Sequence, residues 1–360
     1  MKILYIITGL GQGGAERVVC DLADAMFEKG HKVKIAYLVG ETLTQPEHDQ
    51  IDLININLSN VLSLPKAYLK LSKIIREYQP DVVHSHMVHA NLLTRLIRLV
   101  VPIKTLICSA HSSNEGGILR KLVYRATHNL ADLTTNVSKT AVAAFEQDKA
   151  VPKNGMKTIY NGVNFDNFSY QEDSKQALTH ELQLNVNCKI ILAVGRFNES
   201  KNYPNLLEAI RIFKDEYSIP FVLLIAGDGE LRKDIEETII NLKLSNDVIL
   251  LGRRDDIPKL MSACDVFVLS SDYEGLPTVL IEAMACQAHI ISTDVSGVQE
   301  IVREHGKVIP IKHPIILAKA LENTLNDSND SKNILGAQYV KSKFDLNVIS
   351  EEWLKIYNEN

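Results

Sequence analysis

Short, almost wholly apolar runs alternate along this chain with longer stretches whose apolar positions recur every three or four residues. The runs predict buried parallel strands, and the stretches predict helices lying on the sheets they form. In the first half, strands are expected at Lys2–Thr8, Lys32–Val39, Ile51–Leu58, Asp81–His86, Lys104–His111, Leu133–Ser138 and Lys157–Tyr160. Helices are expected at Ala15–Lys29, Lys66–Tyr78, Ala90–Val100, Ile118–Leu130 and Lys139–Lys149. The stretch Asn161–Lys175 is polar and loop-like. The pattern then restarts, with strands at Lys189–Gly195, Phe221–Ala226, Val248–Leu251, Val266–Leu269, Ile290–Thr293 and Lys307–Ile311. Helices are expected at Tyr203–Glu216, Leu231–Leu242 and Ile257–Ser262, after Pro277, and from Pro314 onward. The expectation is an α/β protein of two Rossmann-like, doubly wound parallel-sheet domains facing across a cleft, residues 1–165 and 166–343. A terminal helix within 344–360, with Val348, Ile349, Trp353 and Ile356 at helical spacing, is expected to pack back onto the first domain.

Composition narrows the class. An apolar fraction of 46% and a charged fraction of 23% are those of an ordinary globular protein. No apolar run approaches the ~18–20 residues that span a bilayer, and the start, Met1 to Gly14, reads as strand and loop without a cleavage-site pattern. Five scattered cysteines, with no C-x-x-C, argue for buried thiols in a reducing cytoplasm. Charge is uneven: residues 1–165 hold 19 Lys and Arg against 14 Asp and Glu, and the rest of the chain 20 against 30. Ten basic residues fall within 60–130, among them Arg95, Arg98, Arg120 and Lys121, facing three acidic ones. A basic half points to an anionic surface such as a membrane or a lipid phosphate. Nucleic acid is disfavoured, because the run lacks interleaved aromatics and any recognisable binding module.

The most informative stretch is Ser270–Cys286. It follows the strand Val266–Leu269, and Pro277 stands where a helix begins, its missing N–H matching a donor that would be unpaired there anyway. Free N–H groups of Thr278 and Val279 at a positive helix end suit a phosphate. Glu274 precedes the helix and Glu282 lies eight residues later inside it. As a hydrolytic pair they are too far apart: eight helical positions span ~12 Å, against about 5–9.5 Å in glycosidases.

Other unusual residues also follow strands, where ligands of open α/β sheets bind. Gly9, Gly11, Gly13 and Gly14 follow the first strand. This G-x-G-x-x-G is a weak dinucleotide fingerprint alone, leaving an NAD(P)-dependent oxidoreductase as an alternative, with Glu41 as a late ribose acid. Alternatively Gly13 and Gly14 let the backbone approach a phosphate or sugar. A non-catalytic membrane-surface protein is the third class. Arg196 and Lys201 place two cations near a helix start in the second domain, the set that neutralises a diphosphate. His84, His86 and His89 invite a metal reading, but His84 and His86 share one strand face in an apolar sheet with no carboxylate nearby except Asp81, which argues against it. His111 leaves its strand into the polar loop Ser112–Gly117.

Together, Gly13-Gly14-Ala15-Glu16-Arg17, His111, Tyr160-Asn161-Gly162-Val163, Val194-Gly195-Arg196, Lys201 and Glu274-Gly275-Leu276-Pro277 with Glu282 resemble the retaining glycosyltransferases of family 4, over nearly the whole chain and in the right order. The resemblance implies the GT-B fold. It implies that Glu282 binds the ribose hydroxyls and Glu274 the donor sugar near the transferring carbon. Arg196 and Lys201 would hold the diphosphate, supported by Gly275, Leu276, Pro277, Thr278 and Val279 at the helix start. Backbone after Gly252, near Arg253 and Arg254, would frame the base. Gly13 and Gly14 would line the donor phosphate and acceptor side, and His111 the donor sugar and reacting centre.

Such an enzyme takes a nucleotide sugar, UDP-linked by expectation, and no cofactor. The chain has no literal D-x-D, Asp272-Tyr273-Glu274 being the nearest match, so metal-independent transfer is expected. The resemblance further implies a lipid-diphosphate-linked saccharide acceptor, a place in O-antigen or capsule assembly, and a peripheral position at the inner face of the plasma membrane.

Overall fold

The computed structural model describes residues 1–11, 13–113, 116–327 and 333–359. Two compact units emerge: Met1–Val163 with the C-terminal stretch from Phe344, and Asn164–Lys343.

The first unit runs β1 (Lys2–Leu10), α1 (Gly14–Glu28), β2 (Lys32–Thr42), β3 (Asp52–Asn55), α2 (Leu64–Tyr78), β4 (Val82–His86), α3 (Val88–Ile97), β5 (Thr105–Ala110), α4 (Ile118–Ala126), β6 (Leu133–Asn136), α5 (Lys139–Gln147) and β7 (Lys157–Thr158). Its seven strands form one sheet in the order β3-β2-β1-β4-β5-β6-β7, and every pairing is parallel. β1 shows why the run is apolar throughout. Ile3, Tyr5 and Ile7 enter the core under α1, while Leu4 and Ile6 enter the core under α2 and α3. A strand covered on both faces has no polar face to show.

The second unit runs α6 (Ser174–Glu181), β8 (Lys189–Val194), α7 (Tyr203–Glu216), β9 (Phe221–Ala226), α8 (Arg232–Asn241), β10 (Val248–Gly252), α9 (Ile257–Ala263), β11 (Val266–Leu269), α10 (Thr278–Ala285), β12 (Ile290–Thr293), α11 (Val298–Val302), β13 (Gly306–Ile309), α12 (Pro314–Leu325) and α13 (Ile334–Phe344). Its sheet has the order β10-β9-β8-β11-β12-β13, again parallel in every pairing. The chain then returns to the first unit as α14 (Leu346–Glu359). Val163 donates its N–H to the Phe344 carbonyl at 2.8 Å, and Leu346 donates to Val163 at 3.0 Å. Ile349, Trp353, Ile356 and Tyr357 of α14 join the core that contains Tyr5 and α1.

Several elements differ from the periodicity. Ser174–Glu181 is a helix that the polar composition hid, buried only through Ser174 and Leu178. The helix expected over Ile118–Leu130 stops at Ala126 and becomes a 3-10 turn at His128–Leu130. β7 is two residues long where four were expected, because the chain turns away after pairing Lys157 and Thr158 with Thr135 and Asn136.

Candidate functional site

In the second unit β8 pairs with β11, so the segments leaving these two strands run side by side where the strand order reverses. Three hydrogen bonds stitch them. The Asp272 N–H donates to the Ser200 carbonyl at 2.8 Å, and Ser270 Oγ donates to the Lys201 carbonyl at 2.9 Å. Asn202 Nδ2 donates to Asp272 Oδ1 at 2.7 Å. Asn202 holds a left-handed backbone (φ +44°) while its side-chain oxygen caps α7 at Asn205. This stitching brings together two residues 73 positions apart: Lys201 Nζ lies 2.7 Å from Glu274 Oε1. Both side chains are less than one-fifth exposed, at 18% and 16%. Ser271, fully buried, donates its hydroxyl to the same Glu274 oxygen at 2.8 Å, and its carbonyl accepts from Thr293 Oγ1 at 2.6 Å. Beneath them Tyr203 donates to the Gly195 carbonyl at 3.0 Å. Burial, with the Glu274 charge behind it, pushes the Tyr203 phenol well above its ordinary range.

Glu274 leads through Gly275 and Leu276 to α10. Pro277 is the cap residue just before this helix (φ −73°, ψ 89°), one position earlier than expected, and Thr278 and Val279 form its first turn. The N–H groups of a first helical turn have no acceptor within the helix, an arrangement that in general suits an anion. Gly297 packs against the approach with φ +80°, and a Cβ there would lie 2.9 Å from the Gly275 carbonyl. Ser296 Oγ donates to that carbonyl at 3.2 Å. Glu282 sits just over one turn into α10 and is partly accessible.

Two cations lie further out. Arg196, 58% exposed, pairs with Glu230 at 3.1 Å. Arg253 is exposed after β10. The Arg254 side chain is a clamp, bidentate to Asp256 at 2.7 Å and bonded to Glu181 at 2.8 Å. Asn202 and Thr293 escaped the sequence reading, and Ser270, Ser271 and Asp272, though inside the stretch it singled out, were given no role there. Their one local signal is the polar run Ser270-Ser271-Asp272 directly after a buried strand.

In the first unit Gly13 caps α1 in an extended conformation (φ −148°), and both Gly13 and Gly14 are exposed. A side chain on Gly13 would run into the Glu16 carboxylate, which folds back over the helix start. Gln12 of the glycine loop, and Asn114 and Glu115 of the polar loop after His111, lie outside the described residues.

His84, His86 and His111 lie together, joined by ring contacts and hydrogen bonds. His84 Nδ1 meets the Tyr357 hydroxyl and Nε2 the Ser109 hydroxyl, each at 2.7 Å. Ser109 Oγ continues to Thr135 Oγ1 at 2.7 Å. His86 Nδ1 lies 3.0 Å from His111 Nε2. Burial drives His111 down to about 4 and holds His84 and His86 well below the ordinary imidazole range, so all three rings are neutral near pH 7.

The basic stretch 60–130 also reads differently in three dimensions. Arg95 is fully buried, bonded to the Tyr124 carbonyl at 3.1 Å and stacked over the Tyr124 ring at 4.1 Å. Arg98 pairs with Asp132 and Lys121 with Asp148. Arg95 is used internally, which corrects the expectation that it faces a partner, while Arg98 and Lys121 are held in partly exposed ion pairs. Beside the exposed Arg120 and Arg125, α4 also presents apolar side chains. Tyr124 is its only buried residue, while Ile118, Leu119 and Leu122 are 79%, 76% and 61% exposed.

Comparison with known proteins follows this division. Residues 12–167 match the family described as Glycosyltransferase Family 4, and residues 174–339 match Glycosyl transferases group 1. A GalNAc-α-(1→4)-GalNAc-α-(1→3)-diNAcBac-PP-undecaprenol α-1,4-N-acetyl-D-galactosaminyltransferase of Campylobacter jejuni is 27% identical, over 100% of this chain and 99% of that protein. A UDP-Gal:α-D-GlcNAc-diphosphoundecaprenol α-1,3-galactosyltransferase of Escherichia coli is 28% identical, over 64% of this chain and 62% of its own length. Among solved structures, Anabaena Alr3699/HepE in complex with UDP and glucose superposes with a TM-score of 0.88 at 20% identity, covering 100% of both chains. The fold is therefore GT-B.

Proposed function

The chain belongs to the family 4 glycosyltransferases, and from that premise we propose that it moves a hexose or N-acetylhexosamine from a UDP-sugar, with retention, to a lipid-diphosphate-linked saccharide in bacterial surface polysaccharide assembly. The observation that carries the reading is the Lys201–Glu274 contact beside the first turn of α10. A cation, a carboxylate and an open helix start meet at one point of the second unit, the groups a sugar diphosphate requires. Relatives that act on undecaprenyl-diphosphate-linked saccharides support the acceptor class.

In this reading the diphosphate takes Lys201, Arg196 and the N–H groups of Thr278 and Val279, with Gly275, Leu276 and Pro277 shaping the approach. Glu282 takes the ribose hydroxyls and Arg253 lies toward the base. Glu274 holds the sugar near its anomeric carbon, and His111, Gly13 and Gly14 serve the sugar and acceptor from the first unit. Departure of the nucleoside diphosphate builds negative charge on its oxygens. Cations and backbone donors fixed in place before the reaction stabilise that charge most, so protein groups carry the load and transfer continues in EDTA. The leaving phosphate takes the acceptor proton on the face from which the acceptor attacks.

Peripheral attachment at the inner face of the plasma membrane completes the reading. Among the described residues no helix is long and apolar enough to cross a membrane. The exposed apolar side chains of α4, with Arg120 and Arg125 beside them, suit the interface of an anionic bilayer.

The test is a nucleotide-sugar panel scored by thermal stabilisation and released UDP, with calorimetry of UDP on wild type and Glu282→Ala. A charge-assisted hydrogen bond contributes about 1.5–3 kcal/mol, so the variant should bind UDP at least tenfold more weakly. Unchanged affinity removes Glu282 from the site.

A further inference from the structure

The His86–His111 contact ties an enclosed ring of β4 to the histidine assigned to the sugar. His86 is 2% exposed. Its Nδ1 meets His111 Nε2 at 3.0 Å, while His86 Nε2 and His111 Nδ1 are both enclosed without a hydrogen-bond partner among the described residues. His84 differs, because each of its nitrogens meets a hydroxyl that can turn to donate or accept. Between two imidazoles nothing can turn. A neutral imidazole carries one N–H, so one ring must donate and the other accept, and that choice sets the proton on each remaining nitrogen.

Two arrangements exist. If His111 Nε2 donates, His86 Nδ1 is bare and the His86 proton sits on Nε2. That leaves an unpaired N–H in the interior, against the rings of His84 and Tyr5, whose centroids lie 4.0 and 5.8 Å from that of His86. If His86 Nδ1 donates, His86 Nε2 is a bare acceptor, and the unpaired N–H moves to His111 Nδ1, just past the carboxyl end of β5. Each arrangement leaves one enclosed N–H without a partner among the described residues, a costly state, and only the second places it just past a strand end. Ligands of such sheets arrive at the carboxyl ends of the strands.

We infer that His86 is a positioning residue: its Nδ1–H donates to His111 Nε2 and so fixes the His111 proton on Nδ1, making that nitrogen a hydrogen-bond donor with unused capacity at the strand end. The chemical class that satisfies it is a neutral acceptor, a hydroxyl or acetamido oxygen of the sugar. The inference rests on the assignment of His111 to the transfer reaction. Because the ring is neutral, the tautomer decides whether His111 offers the sugar a donor or an acceptor. Lysine or arginine would offer donors only, each with a charge.

The experiment begins with wild type and needs no substrate. In protein labelled with ¹⁵N in its histidines, with His111 assigned from the spectrum of His111→Gln, the ring should show a protonated Nδ1 and a bare Nε2. A protonated Nε2 overturns the inference. His86→Leu removes the donor at similar volume. It should release His111 to the Nε2–H form and lower kcat by about tenfold, the scale of one hydrogen bond, leaving UDP affinity unchanged. His86→Asn, whose Nδ2 stands where the imidazole Nδ1 stood, should restore both tautomer and rate. Wild-type kcat in a folded His86→Leu overturns the positioning role. Full activity in His111→Ala overturns the parent assignment instead, while the ring spectrum still decides where the proton lies.

Discussion

The two units share an architecture and differ in how they treat polar groups at the carboxyl ends of their strands. In the second unit these groups are charged, partly accessible and paired across loops: Lys201 with Glu274, Asp272 with Lys312, Arg196 with Glu230. In the first they are neutral and enclosed: His84 between Tyr357 and Ser109, and His86 against His111. One edge is suited to exchanging its internal ion pairs for an anionic ligand. The other presents a hydrogen-bonding surface with no charge to neutralise. Exposed apolar side chains gather on α4 of the first unit. On the proposed function, this difference separates a seat for a diphosphate from a surface for neutral sugar and lipid.

The sharpest way to break this contrast is to compare Glu274→Gln with His111→Ala. Each should lower kcat by 10² or more, the usual scale of an electrostatic or proton-handling group. UDP affinity should respond differently, rising for Glu274→Gln, which frees Lys201 from the carboxylate it exchanges for a diphosphate, and staying within a few-fold for His111→Ala. His89→Ala, at an exposed residue of α3, serves as the control with wild-type turnover. Equal effects on UDP affinity in the two variants would dissolve the division of labour.

Acid should separate the units next. A histidine held neutral by burial has a folded-state value below its unfolded one, so its contribution to stability is complete above about 6.5 and is lost as pH falls toward the folded value. For His111, with a folded value of about 4, the loss between pH 7 and pH 5 is about 2 kcal/mol. His84 and His86 shift in the same direction. Denaturant titrations at pH 7 and pH 5, followed by Trp353 in the first unit's core, should show a marked fall in midpoint. A midpoint indifferent to pH in this range contradicts the neutral histidine network.

Vesicle binding sharpens the comparison from the other side. Ile118, Leu119 and Leu122 changed together to Ser should weaken co-sedimentation with anionic vesicles more than tenfold, since an apolar side chain gains about 1.5–3 kcal/mol on full burial. Arg120→Gln with Arg125→Gln should produce the smaller, salt-sensitive loss, at about 1 kcal/mol per basic residue near such a surface. Replacing Arg95 would instead cost stability, because its guanidinium is buried. Vesicle binding that ignores the apolar triple change returns α4 to an ordinary solvated helix.

The smallest expected effect is at Ser271. Ser271→Ala removes one hydroxyl from Glu274 and should reduce kcat about three- to tenfold, less than the full strength of a charged hydrogen bond, because Lys201 still holds the same oxygen. If Ser271 acts through Glu274, the loss should vanish in a Glu274→Gln background, since residues acting as a unit are not additive. An equal loss in both backgrounds assigns Ser271 to the fold alone.

What the sequence alone determined is what short-range physics encodes. Apolar runs located the strands, several to the residue, as at Phe221–Ala226, Val266–Leu269 and Ile290–Thr293. Strand-end glycines and charges drew attention to the carboxyl edges of the sheets, and the spacing from Glu274 to Glu282 pointed to the family. It missed α6, where a helix of low apolar content is held by only two buried residues. It counted Arg95 as surface charge, because a guanidinium reads the same in sequence whether it meets water or the Tyr124 carbonyl. Tertiary structure alone decided the partners. Lys201 reaches Glu274 across 73 positions and His84 reaches Tyr357 across 273. The physical reason is that periodicity reports which face of an element is dry. Which polar atom meets which depends on sheet order and strand register, set by the whole chain at once.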